Sequence, residues 1–137
     1  MKRSRLTMIA VGLTFTVISQ TASADTVVIV SAQSKVTTLT PAQISRIYQG
    51  KSNLMKPVEI AQPSQARREF YAKVVGVDEA RVKAGWASLV FTGKGTAPRE
   101  YPTGTEVVKA VAADPNAIGY VDKSFVNMTV KIIYTVK

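Results

Sequence analysis

Pro57-Val58-Glu59-Ile60, followed after Ala61 by Gln62-Pro63-Ser64-Gln65-Ala66-Arg67-Arg68-Glu69-Phe70-Tyr71, reads as a short strand running into a helix that continues to Val75. Ser64 suits the N-cap. A helix begun there leaves the backbone N–H groups of Gln65, Ala66 and Arg67 without carbonyl partners inside the helix. That end is partly positive and favours anions. Arg67 and Arg68 nevertheless stand in or beside the same turn, where a cation is disfavoured by about 0.3–1 kcal/mol. Two readings of this conflict stay open. An anion on the turn would convert the repulsion into attraction and satisfy the free N–H groups. Alternatively, both arginine stems lie along the surface with their heads in water, partly balanced by Glu69. Ala66, Phe70 and Val74 fall on one inward stripe, and Gly76 stops the helix.

Upstream of this unit, Leu39-Thr40-Pro41-Ala42-Gln43-Ile44 is the clearest helix start in the chain. Thr40 caps, Pro41 fits the first position, Gln43 closes a capping box, and Leu39 and Ile44 form a hydrophobic staple. Gly50 ends that helix. Before it, Thr26 to Val30 is a continuous β-branched run, as in a strand buried on both faces. Downstream, Asp78 caps a third helix whose Val82, Trp86, Leu89 and Val90 are spaced to face a core. Phe91-Thr92-Gly93-Lys94-Gly95 lacks the spacing of a nucleotide phosphate loop and reads as a turn leading into Pro98-Arg99-Glu100. Lys94 reaches an anion at the Ser64 turn only if this loop faces it. Thr103-Gly104-Thr105-Glu106 is a second capping box. Ile118–Val121 and Met128–Val136 read as the last strands. The order β-α-β-α-α-α-β-β argues for a three-layer α/β sheet.

Composition narrows function by exclusion. Lys2, Arg3 and Arg5, the apolar run Leu6 to Ile18 and Ala22-Ser23-Ala24 have the form of a cleavable leader. Cleavage is expected after Ala24, leaving one domain over residues 25–137 with no stable membrane insertion. The chain has 18 basic and 9 acidic residues; the surplus of nine falls to six once the three leader cations are removed. These charges are dispersed, which suits small anions better than nucleic acid. With no cysteine and no histidine, nucleophile–histidine systems and zinc sites built on those residues are excluded. The acidic residues show no paired spacing on a helix face. The expectation is a binding protein: no enzyme, no metal and no organic cofactor.

Several phrases together resemble a known family: Val27-Val28-Ile29-Val30, Leu39 through Lys51, Pro57-Val58 before the Ser64 helix, Trp86, Phe91 through Gly95, and Ala117-Ile118-Gly119-Tyr120-Val121. In this order they look like the phosphate-binding protein of bacterial phosphate ABC transporters. More narrowly, the chain is similar to the short exported phosphate ABC transporter substrate-binding protein-like group, over about Val27 to Tyr134. The resemblance implies a single three-layer lobe of the periplasmic binding protein-like fold, with a mixed sheet and helices on both faces. It also implies a periplasmic protein that binds phosphate or a similar small oxyanion. Carried onto this chain, the binding segment covers Ser64, Gln65, Ala66 and Arg67, with Arg68 and Lys94 as further cations. Ser64 matches the family's serine, while Gln65 and Ala66 replace its glycine and threonine, and Gln62 or Pro63 stands near its arginine. At roughly 1.5–3 kcal/mol per hydrogen bond to a charged group, two lost contacts weaken binding ~100-fold or more. The alternative is an interaction scaffold that has kept one lobe without tight ligand binding. A second protein or second copy covering the open lobe is the partner the resemblance leaves room for.

Overall fold

The computed structural model describes residues 25–137 and three isolated positions, 12, 14 and 16. The expected leader therefore lies outside the described residues. Five strands form one mixed sheet in the order β3-β2-β4-β1-β5. They are β1 (Thr26–Ser31), β2 (Lys56–Ile60), β3 (Arg99–Tyr101), β4 (Ala117–Asp122) and β5 (Val130–Thr135). β2 runs parallel to β3 and β4, whereas β1 is antiparallel to β4 and β5. The helices are α1 (Pro41–Tyr48), α2 (Gln65–Phe70), α3 (Glu79–Phe91) and α4 (Gly104–Ala113).

Every residue of β1 is buried, because helices cover both faces of the sheet. Val28 and Val30 point into one core with Ile44, Ile47, Tyr48, Phe70, Val74 and Tyr120. Val27 and Ile29 point the other way, into a second core with Val107, Val108 and Val111 of α4. Strand alternation thus divides one apolar run between two layers. Gly119 lets α4 come close: a Cβ there would lie 2.8 Å from Val111 Cγ2.

The α1 capping box forms as the sequence predicts, and Gly50 leaves that helix at φ +74°. At Thr103 only half of the second box forms, with Thr103 accepting from the Glu106 N–H. The helix from Ser64 does reach Val75, but its last five residues, Tyr71–Val75, are a π-helix. The wider turn brings Tyr71 and Val75 into the core beside Val74.

Two expectations are corrected. The element order read from the sequence has no strand between the third and fourth helices, but Arg99-Glu100-Tyr101 is an edge strand paired in parallel with Val58-Glu59-Ile60. On α3 only Val82 is fully buried; Trp86 and Leu89 are half-buried, and Val90 and Phe91 are exposed. Trp86 does anchor the helix, since its Nε1 donates to the carbonyl of Tyr48 at 2.8 Å.

Candidate functional site

The site grows out of the carboxyl end of β2. Parallel pairing of β2 with β4 covers Lys56 and Pro57. Beyond it, side chains take over the bridging. The Tyr48 hydroxyl lies between the carbonyls of Val58 and Ile118, at 3.0 and 3.1 Å. One step further, the Glu59 carboxylate accepts from the hydroxyls of Tyr71 on the π turn and Tyr120 on β4. Glu59 is a buried acid in a strand flanked by Val58 and Ile60.

Ser64 caps α2, accepting from the Arg67 N–H at 3.1 Å. The Arg67 side chain then turns back over the strand ends. Its Nη1 donates to the carbonyl of Ile60 at 2.8 Å and to Glu100 on β3 at 3.0 Å. Its Nε faces both oxygens of Glu79 on α3, at 3.3 and 3.4 Å. Glu59 lies 3.9 Å from Nη1, and the guanidinium carbon is 5.6 Å from the centre of the Tyr71 ring. The Arg67 side chain is only 12% exposed. A cation at a helix start is thus stabilised here by three carboxylates of the chain itself, which neither reading of the sequence anticipated. Glu69 takes no part: it accepts from Thr26 and pairs with Lys73.

This arrangement opens on a cavity of about 580 Å³ lined by Glu59, Gln62, Arg67, Glu79, Lys83 and Trp86 among others. Of the six residues expected to hold a ligand, Arg67 alone lines it. Gln65 and Arg68 are exposed, Ala66 packs against the core, and Lys94 is exposed on the loop after α3. Glu59, Glu79 and Glu100 converge on the guanidinium rather than on a shared point. Among the described residues no group of three or more such side chains is placed to hold a metal ion.

Burial pushes the Glu59 carboxyl above its ordinary pKa, and the hydrogen bonds from Tyr120 and Tyr71 and the charge of Arg67 offset only part of that. Burial alone would lower the Arg67 pKa, but Glu59, Tyr120, Glu100 and Glu79 outweigh it and hold the guanidinium above its ordinary value. For Glu59 the folded protein keeps its proton at pH values where the unfolded chain has lost it. Its contribution to stability is therefore complete below the ordinary glutamate pKa and is lost as pH rises through the raised folded value. Thermal melts between about pH 4 and pH 8 should show this slope, and Glu59→Gln should flatten it. An unchanged slope in Glu59→Gln would assign the pH dependence to other groups.

The fold is that of one α/β lobe of the solved phosphate-transport proteins that it matches. Among solved structures, it matches a phosphate ABC transporter substrate-binding protein from Clostridium perfringens, determined with bound phosphate, at TM-score 0.66 and 21% identity. It also matches an ABC-type phosphate transport receptor from Vibrio cholerae at TM-score 0.62 and 19% identity, and PstS from Borrelia burgdorferi at 0.59 and 13%. Each match covers 80% of this chain but only 44–46% of the other. The chain therefore spans less than half the length of these proteins. No protein-family profile and no curated protein matches the sequence. Among the described residues no helix is long and apolar enough to cross a membrane.

Proposed function

We propose that this chain is an exported, non-catalytic binding module of the periplasm that takes phosphate or a similar small oxyanion weakly. Its single domain covers residues 25–137, released by cleavage after Ala24. In this reading Arg67 supplies the charge inside the cavity, and Ser64, Gln65, Ala66, Arg68 and Lys94, which do not line it, are outlying members of the site. The observation that carries it is the position of Arg67, at the carboxyl end of parallel strand β2 and facing a cavity. Open α/β sheets bind ligands at the carboxyl ends of their strands. The solved Clostridium perfringens counterpart of this fold contains phosphate. Weakness follows from the same geometry, because an incoming anion meets Glu59, Glu79 and Glu100 around the guanidinium.

Calorimetric titration with phosphate, sulfate and a carboxylate tests this. The expected dissociation constant for phosphate is micromolar to millimolar, roughly −8 to −4 kcal/mol. A nanomolar constant would contradict the account of the site, and no heat with any of the three anions would remove the oxyanion reading. A second reading, an interaction scaffold, is favoured by the outer surface of α3. Phe91 is 92% exposed and Val90 48%, an apolar end on a helix that buries only Val82 fully. A second copy or another envelope protein is the partner in that reading.

A further inference from the structure

We propose that Glu79 and Glu100 set the affinity of this cavity, as built-in competitors that occupy Arg67 and keep the lobe from holding oxyanions tightly. The inference rests on the oxyanion reading above and adds the residues that set its strength. Glu79 comes from the start of α3 and Glu100 from the edge strand β3, so two separate elements deliver carboxylates to one guanidinium. Their contacts use Nε and one Nη1 hydrogen, while the Ile60 carbonyl takes another. The bonds that Arg67 makes among the described residues leave the Nη2 edge for a ligand. An oxyanion approaching that edge gains one guanidinium face but meets the negative charge already bound to the others. A fork–fork grip through Nε or Nη1 requires a carboxylate to leave first.

The two competitors are not equivalent to Glu59. Glu59 is buried and held by two tyrosine hydroxyls, so it belongs to the frame of the site. The Glu100 side chain is 53% exposed and that of Glu79 28%, and neither has a tyrosine partner among the described residues. The exposed Glu100 carboxylate can swing into water when an anion arrives, and the half-buried Glu79, which also accepts from the Gln62 amide, can do so once that bond opens. Glutamine in their place keeps the shape and an acceptor for Arg67 while removing the charge. The guanidinium then stays seated, and the repulsion felt by an anion is lost.

Titration of the purified protein with inorganic phosphate tests the proposal, using Glu79→Gln, Glu100→Gln, the double variant and Glu106→Gln. Glu106 is an exposed acid on α4, on the opposite layer, so its variant changes net charge without touching the cavity. The expected result is tighter phosphate binding in each cavity variant, by about tenfold or more in the double variant, with Glu106→Gln at the wild-type constant. Gain of binding in the double variant from a wild type that shows none removes the oxyanion reading for the native chain, but bears out Glu79 and Glu100 as the groups that block Arg67. Weak wild-type binding that the cavity variants leave unchanged overturns the proposal while the oxyanion reading stands. No binding in either wild type or double variant removes both. An equal gain in Glu106→Gln overturns the proposal in favour of net charge. Thermal melts establish folding, and should the double variant fail to fold, Glu100→Gln on the exposed edge strand carries the test alone.

Discussion

Arg67→Ala is expected to destabilise the protein by about 3–5 kcal/mol, the scale seen when one partner of a buried ion pair is removed. The change removes four partners at once: the Ile60 carbonyl, Glu79, Glu100 and the nearby charge of Glu59. Most of the cost comes from what stays behind. Glu59 remains inside with two tyrosine hydroxyls and no cation, and its already raised pKa rises further. The loss should therefore be larger at pH 8 than at pH 5, where Glu59 more readily holds a proton. Replacing both members, Arg67→Met with Glu59→Gln, should cost less than Arg67→Ala, because no buried charge is left unmatched. Urea unfolding of the three proteins at the two pH values measures this. A loss below about 1 kcal/mol in Arg67→Ala would place the cluster with ordinary surface ion pairs.

The fold was legible where local chemistry agrees with tertiary packing. The Thr40 capping box, the Ser64 and Asp78 caps, Gly76 as helix stop and the doubly buried β1 all appear as read. The mixed three-layer sheet follows from them. Where the reading failed, the deciding forces were not local. Nothing in Arg99-Glu100-Tyr101 alternates or is strongly apolar, and the three residues become a strand because β2 offers them an edge. On α3 the spacing of Val82, Trp86, Leu89 and Val90 is helical, yet Val82 alone is buried, Trp86 and Leu89 are half-covered, and Val90 and Phe91 stand clear of the core. Periodicity reports which side chains share a face, not whether another layer covers that face.

The candidate site was legible in one residue. Arg67 drew notice because a cation at a capped helix start breaks an electrostatic rule, and broken rules cluster at sites. Its real partners come from β2, α3 and β3, which only the folded sheet brings together. One signal was available for Glu59: an acid between Val58 and Ile60 in a strand that must pack on both faces. Such a residue needs a buried partner, and the partners are Tyr71, Tyr120 and Arg67.

Phe70→Ala is the other change expected to cost about 3–5 kcal/mol, by loss of buried area and the cavity left behind. The Phe70 ring is fully buried and stacks on Tyr120, with centroids 4.0 Å apart and planes 11° from parallel. Tyr48 meets it edge-on at 4.7 Å and Tyr71 at 5.8 Å. Three tyrosines are therefore positioned by one phenylalanine, and each also makes a polar contact. Tyr48 bridges β2 to β4, while Tyr71 and Tyr120 hold Glu59. Emptying this position removes aromatic contacts worth about 0.5–1.5 kcal/mol each beyond area burial, and it unseats the hydroxyls that order the carboxylate. Phe70→Leu, which keeps most of the volume, should lose less than half as much and retain the pH slope assigned to Glu59. Phe70→Ala should lose stability and blur that slope together, because Glu59 is then free to meet water. Thermal melts across the same pH range read both quantities. If Phe70→Ala lowers stability but leaves the slope sharp, the ring serves the core alone and Glu59 is ordered without it.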